Sequence, residues 1–158
     1  MTYLLDTNVI SEIRKRSPDP QVLTWYNSLA AEAAFISALT IGEIRQGIER
    51  LRRKDQEQAD HLERWLDGLR IRYADHIIAV DAAVAQEWGR MNVPDPLPVV
   101  DGLLAATAKA HGLTLVTRNT ADLAGSGAAL LNPWEVRAPL AVKGDEIVLH
   151  LRGQVIGG

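Results

Sequence analysis

The sequence predicts an α/β fold in which a central parallel sheet is flanked by helices. Short apolar runs of strand length alternate along the chain with longer segments of helical periodicity. No apolar run is long enough to span a membrane. The chain has 158 residues, of which 47% are hydrophobic and 23% charged. This size and composition fit a single globular domain.

The first half of the chain predicts two strands and four helices. Thr2–Asp6 is a short apolar run that ends in an acid, and Ala34–Ser37 is a second run of strand length. Apolar residues recur at i, i+3, i+4 and i+7 in the last predicted helix of this half. The four helices are predicted over Asn8–Arg16, Pro18–Ala31, Ala38–Arg53 and Asp55–Leu69.

The second half predicts three further strands and two helices. Asp81 is a capping residue before the helix Ala82–Met91, and Gly112 is a stop signal after the helix Val99–His111. The segment between these helices, Asn92–Pro98, contains three prolines and predicts a loop. The strands are expected at Ile77–Val80, Leu113–Thr117 and Ala128–Leu131.

The composition changes near Arg137, which divides the chain into a predicted domain over residues 1–137 and a C-terminal extension over 138–158. Within the extension, Lys143-Gly144-Asp145 predicts a turn between short strands. An appended hairpin, an interface arm and a loose tail all fit this pattern.

Composition excludes several function classes. The chain contains no cysteine, which excludes disulfides, thiolate zinc sites and thiol nucleophiles. None of its four histidines pairs with another at i, i+4, so no helical zinc motif is present. The net charge of −3 does not indicate binding to nucleic acid by general electrostatics. The N-terminus has neither a basic region nor a long apolar run, so we expect a cytoplasmic protein with no membrane contact.

Four acids stand near predicted strand ends. Asp6 ends the first strand, Glu43 lies on the helix after the second, Asp101 is in the first turn of the helix after the proline loop, and Asp122 follows the strand Leu113–Thr117. Ligands of parallel sheets bind beyond the carboxyl ends of the strands, so these acids can converge there. Taken singly, each has a simpler interpretation as a helix cap, a solvated helix residue, a first-turn acid or a turn residue.

Converging carboxylates repel one another unless a cation lies between them. All-oxygen ligands suit Mg²⁺ or Mn²⁺. A site of this kind lowers the pKa of water and stabilises the charge that develops on a phosphate. The acids therefore predict hydrolysis of phosphodiesters.

Five segments, in this order and spacing, resemble the PIN-domain family and, within it, the VapC-like toxins of type II toxin–antitoxin systems. The resemblance covers roughly residues 2–136. The segments are Leu4–Ile10, Ile36–Ile44, Val100–Ala108, Leu115–Asp122 and Leu131–Trp134. Two features depart from the family pattern: Leu123 stands where many relatives have Phe, and the extension continues past the usual end.

The resemblance implies a PIN fold and a metal-dependent endoribonuclease. Asp6, Glu43 and Asp101 match the three core acids of the family, and Asp122 matches a variable fourth one. Asp6 and Asp101 are the expected ligands of Mg²⁺, for which Mn²⁺ can substitute. The resemblance also implies an RNA substrate, a cognate antitoxin and a homodimer. The residues expected to line the site are Thr7, Ser37, Thr117, Arg118 and Asn119.

Other interpretations remain open at this point. A non-catalytic PIN domain that acts only as a binding partner would keep the same fold. A phosphatase that forms an aspartyl-phosphate would need a second Asp two residues after Asp6, where this chain has Asn8. The basic run from Arg45 to Lys54 fits either contact with the RNA backbone or favourable charge at a helix C-terminus.

Overall fold

A computed structural model describes residues 1–136 and, as backbone only, two short strands near the C-terminus, Leu149–Leu151 and Gln154–Ile156. None of the helices in the described part is long and apolar enough to cross a membrane.

Five short strands form one parallel sheet with the first strand at its centre, which confirms the predicted fold class. In chain order the strands are β1 (Tyr3–Leu5), β2 (Ala34–Ser37), β3 (Ile77–Ile78), β4 (Thr114–Val116) and β5 (Leu130–Leu131). Their order across the sheet is β3-β2-β1-β4-β5. Leu5 pairs in register with Ile36 on one side and with Val116 on the other. The residues that follow β1, β2 and β4 therefore meet at one edge.

Seven α-helices connect and cover the strands in the part of the chain that the structure describes. They are α1 (Thr7–Arg14), α2 (Pro20–Asn27), α3 (Ala38–Arg52), α4 (Gln56–Arg72), α5 (Ala82–Met91), α6 (Val99–His111) and α7 (Thr120–Leu123).

The core has two parts because side chains of β1 alternate between the faces of the sheet. Leu5 is fully buried in one cluster with Val9 and Ile10 of α1 and Ile48 of α3. Leu4 is fully buried in the other, against residues of α6 and β4 such as Leu104 and Leu115. Burial of both faces is what an all-parallel sheet requires.

The predicted bounds of α5 and α6 are confirmed, and both helices have strong capping signals. α5 starts where Asp81 accepts a hydrogen bond from the Val84 amide, and α6 ends at Gly112, whose φ of 65° is left-handed. The predicted helix Pro18–Ala31 was too long, because α2 begins at Pro20, where Asp19 caps it, and ends at Asn27.

The two strands described in the extension, β6 (Leu149–Leu151) and β7 (Gln154–Ile156), pair antiparallel. The turn predicted at Lys143-Gly144-Asp145 lies outside the described residues.

Candidate active site

Asp6 lies at the centre of the carboxyl edge, directly after β1. Its backbone amide donates to the Val116 carbonyl at 2.9 Å, which extends the pairing of β1 with β4 by one residue. One carboxylate oxygen caps α1 by accepting from the Thr7 amide at 2.6 Å. The side chain is almost completely buried, with 6% of the residue exposed. Asp6 therefore has both roles that the sequence left open, as a helix cap and as an acid at the sheet edge.

Thr117 orients the second oxygen of that carboxylate. Its hydroxyl, fully buried after β4, donates to Asp6 Oδ2 at 2.7 Å. The Thr117 hydroxyl oxygen also accepts hydrogen bonds from the backbone amide of Asn119 at 3.1 Å and from Asn8 Nδ2 at 3.5 Å. A hydroxyl has one hydrogen and two lone pairs, so two incoming donors direct its hydrogen to Asp6.

Glu43 is held by the first residue of α1. Thr7 Oγ1 donates to Glu43 Oε1 at 2.8 Å and lies 3.1 Å from Thr40 Oγ1. Glu43 itself is exposed, while Thr40 is fully buried one turn earlier on α3. Each of the two acids is thus fixed by a threonine from a different element.

Asp101 stands in the first turn of α6, a position set by close packing of α6 on α5. A Cβ on its neighbour Gly102 would lie 3.3 Å from the indole of Trp88, so glycine permits this approach. Asn92 closes the preceding loop by accepting from the Leu97 amide at 2.9 Å.

The environment of the Asp6 carboxylate opposes its ionisation. Burial is the main cause that raises the pKa of Asp6 above its ordinary value, and the charges of Asp101 and Glu43 raise it further. Hydrogen bonds from Thr117 and Thr7 act in the opposite direction. Among the described residues, no three acidic or histidine side chains are close enough to coordinate one ion together.

The remaining predicted site residues surround this group. Ser37 is fully buried and caps α3 by accepting from the Leu39 amide at 3.0 Å. Arg118 is exposed, with its guanidinium carbon 5.0 Å from the centre of the Trp134 ring. Asp122 is exposed on α7, and within the described part no hydrogen bond joins it to the other three acids. Its assignment as a fourth catalytic acid stays a prediction.

Two residues of this network were not expected from the sequence. Asn8 orients Thr117, and its own Oδ1 is buried and has no hydrogen-bond partner among residues 1–136. Thr40 supports Thr7 from within the core. The only sign of these roles in the sequence was that Asn8 lies near Asp6 and Thr40 near Glu43. The contacts themselves could not be predicted, because Asn8 and Thr117 are 109 positions apart and Thr7 and Thr40 are 33 positions apart.

The fold agrees with what comparisons with known proteins find. Residues 3–124 match the profile of the PIN domain. The chain belongs to the PIN-domain family. This PIN-domain protein is 35% identical over 136 residues to the toxin FitB of Neisseria gonorrhoeae (strain ATCC 700825 / FA 1090), across 83% of this chain and 97% of that protein.

Two further comparisons extend the match. The PIN-domain protein is 30% identical over 138 residues to the VapC ribonuclease Y4jK of Sinorhizobium fredii (strain NBRC 101917 / NGR234), across 84% of this chain and 97% of that relative. Its structure is similar to the crystal structure of FitAcB from Neisseria gonorrhoeae, with a TM-score of 0.79 and 33% identity, across 84% of this chain and 99% of that chain.

Proposed function

We propose that this protein is an endoribonuclease toxin that hydrolyses RNA phosphodiester bonds with Mg²⁺, for which Mn²⁺ can substitute. The observation that carries the proposal is the buried Asp6 carboxylate, held at the sheet edge within electrostatic reach of Asp101 and Glu43. Similarity to a VapC ribonuclease and to a toxin supports the reaction and the biological class. The argument depends on the site, because a fold alone does not define chemistry.

The residues present fit a hard divalent cation. Burial and two neighbouring carboxylates oppose the ionisation of Asp6. A nearby positive charge would stabilise its ionised form. Mg²⁺ usually takes only one or two protein carboxylates and completes its shell with water and phosphate oxygens. Asp6 and Asp101 meet that requirement without a third acid. When bound, the ion supplies positive charge to the phosphate and lowers the pKa of water.

Each side chain of the site then has its own role in the reaction. Asp6 and Asp101 would hold the cation, and Thr117 keeps the Asp6 carboxylate in one orientation. Glu43, fixed at Oε1 by Thr7, accepts a proton from the attacking water. The water oxygen bonds to phosphorus while one P–O ester bond breaks, and the leaving oxygen takes up a proton from solvent. Arg118, exposed beside the site, contacts a neighbouring phosphate.

We further propose that a cognate antitoxin covers this edge and that the protein forms a homodimer. Apolar side chains are exposed on the segment that leads to Asp101: Val93 is 76% exposed and Val99 is 61% exposed. Exposed apolar side chains grouped near a functional site favour an interface with another protein. The similarity to a protein named as a toxin supports an antitoxin as one such partner.

The test is cleavage of total RNA by the antitoxin-free protein with Mg²⁺ or Mn²⁺ and then with EDTA. Asp6→Asn and Asp101→Asn should each lower the rate more than about 100-fold, since partners outside the first coordination shell already cost about 10–100-fold. Asp67→Asn, an exposed acid on α4, is the matched control and should cleave as the wild type does. A folded wild-type protein that cleaves no RNA with either metal would instead support a non-catalytic binding partner.

A further inference from the structure

A cavity of about 540 Å³ opens beside Glu43 at the carboxyl edge of the sheet. Its walls come from the first two turns of α3 and from the segment after β3. The lining residues are Ala38, Leu39, Gly42, Glu43, Gln46 and Val80. Because Glu43 belongs both to this cavity and to the candidate active site, a substrate that reaches Glu43 also reaches the cavity.

The lining favours one part of an RNA chain over the others. Apart from Glu43 the walls carry no charge, and Glu43 repels a phosphate group. Leu39 and Val80 offer apolar surface, while the Gln46 amide has both donors and acceptors. A nucleobase has apolar faces and a hydrogen-bonding edge, and bases of single-stranded RNA can be splayed out and bound in this way.

The order of the strands gives the site two unlike flanks. β2 and β3, whose following residues line the cavity, lie on one side of β1 and its Asp6. β4 lies on the other side and is followed by the exposed Arg118. An RNA strand that crosses this edge would therefore meet a cavity without basic side chains on one flank and a cation on the other.

We propose that the cavity beside Glu43 binds the unstacked base of a nucleotide next to the scissile phosphate, and that the Gln46 amide hydrogen-bonds the edge of that base. The inference rests on the proposed ribonuclease function and names the part of the protein that selects the cleaved sequence. The inference predicts that cleavage depends on the identity of the base at one nucleotide position and that any base is accepted at positions further away.

The experiment compares single-stranded RNA oligonucleotides that contain one cleavage site and differ by one abasic nucleotide. In the wild type, removing the base at one position flanking the cut should lower kcat/KM about tenfold or more, in line with the contribution of a bound base to affinity. Removing a base elsewhere should have little effect.

Gly42→Leu tests the cavity directly, because a Cβ at Gly42 would meet no atom of the described residues outside its own helix within 4 Å, and a larger side chain would fill the space. The ratio of the rates on intact and abasic RNA should fall towards one in this variant. Gln46→Ala should weaken the choice among the four bases. Gly68→Leu is the matched control, since Gly68 is also an exposed helical glycine with equally open surroundings in the described part of the chain, and it should keep the wild-type ratio.

The outcomes separate this inference from the proposed function. If the wild type cleaves but no abasic position matters, or if Gly42→Leu and Gly68→Leu behave alike, the cavity does not bind a base. If Gly42→Leu changes the molecular mass in solution but not the base preference, the cavity belongs to a protein interface and the inference is overturned. If the wild type does not cleave, the proposed function fails, and fluorescence anisotropy of the same oligonucleotides still tests binding of the base.

Discussion

At the scale of single residues, the site depends on hydroxyl groups that hold acids. Asp6 and Glu43 would be expected to turn away from each other in the absence of other contacts, because like charges repel. Thr117 fixes Asp6 at 2.7 Å, and Thr7 fixes Glu43 at 2.8 Å. The geometry of the acids is therefore set by neutral neighbours.

Replacing Thr117 with valine should slow RNA cleavage about 10–100-fold, the usual cost of losing a hydrogen bond to a metal-binding side chain. Valine keeps the volume but removes the donor to Asp6, while Thr117→Ser restores the hydroxyl and should recover most of the rate. The measurement is kcat/KM for one oligonucleotide at saturating Mn²⁺, with unfolding temperatures as a check of folding. Equal rates for the valine and serine variants would show that the hydroxyl is not needed.

The mutual repulsion of the acids should appear in the pH dependence of stability of the metal-free protein. Burial first, and then the charges of Asp101 and Glu43, raise the pKa of Asp6 above its ordinary value of 3.8. A carboxyl with a raised pKa in the folded state contributes stability that is complete below the unfolded-state pKa and is lost as the pH rises through the folded-state pKa.

Asp101→Asn removes one cause of that rise, so the loss of stability above pH 3.8 should be smaller in this variant than in the wild type. Unfolding temperatures in EDTA, measured across the acidic range, give the difference between the two proteins. Asp67→Asn serves as the control. Parallel curves for the wild type and Asp101→Asn would contradict an electrostatic link between Asp101 and Asp6.

At the scale of elements, helix ends decide where the acids lie. α6 carries Asp101 at one end and stops at Gly112 at the other, where the chain turns into β4 with a φ of 65°. Non-glycine residues are strained at such angles. The position of β4, and thus of Thr117, depends on that turn.

Gly112→Ala should lower the free energy of unfolding by about 1 kcal/mol because alanine disfavours a left-handed C-cap. Gly68→Ala should raise it by up to about 1 kcal/mol, because Gly68 is exposed inside α4, where alanine is the better helix former. If backbone conformation causes these effects, urea unfolding will show changes of opposite sign in the free energy of unfolding of the two variants. Stabilisation by both substitutions would rule out strain at residue 112.

Surface charge on α3 contributes to packing between helices. Arg45 and Arg52 bind carboxylates of α4: Arg45 contacts Glu63 at 2.6 Å, and Arg52 contacts Asp60 and Glu63 at 2.7 Å each. Two members of the basic run considered for RNA contact are thus ion-paired to the neighbouring helix. Ion pairing was neither of the two roles expected from the sequence, because the position of α4 beside α3 follows from the fold and not from the run itself.

Local signals predicted the elements better than they predicted the contacts between them. Asp81 and Gly112 are capping residues whose effect is local, and the helices that they bound were predicted to the residue. α7 was not predicted, because four residues are too few for a helical period. The bond from Asn8 to Thr117 spans 109 positions, and only the order of β1 and β4 in the sheet brings these residues together.

At the scale of the whole molecule, the site needs elements from most of the described chain. Asp6 follows the end of β1, Glu43 lies on α3, Asp101 lies on α6 and Thr117 follows the end of β4. The last described residues before the extension also belong to this unit, because Trp134 and Val136 pack against the larger core cluster. Both residues precede the predicted division at residue 137.

A chain that ends at Arg137 should therefore fold and cleave RNA as the full chain does. All contacts described for the core and the site lie within residues 1–136. FitB aligns over 97% of its own length with 83% of this chain, so this relative has no counterpart for the remaining part of the chain. The measurements are the unfolding temperature and kcat/KM of the truncated and full-length proteins.

A second truncation, before Asn132, is the matched control for that experiment. It removes Trp134 and Val136 from the core together with Asn132, whose side chain accepts from the Trp134 amide at 3.0 Å. We expect this shorter chain to have a lower unfolding temperature, since it loses the apolar contacts of two partly buried side chains with the core. If ending the chain at Arg137 has the same effect, the boundary of the domain lies within the extension, and the predicted division at residue 137 is wrong.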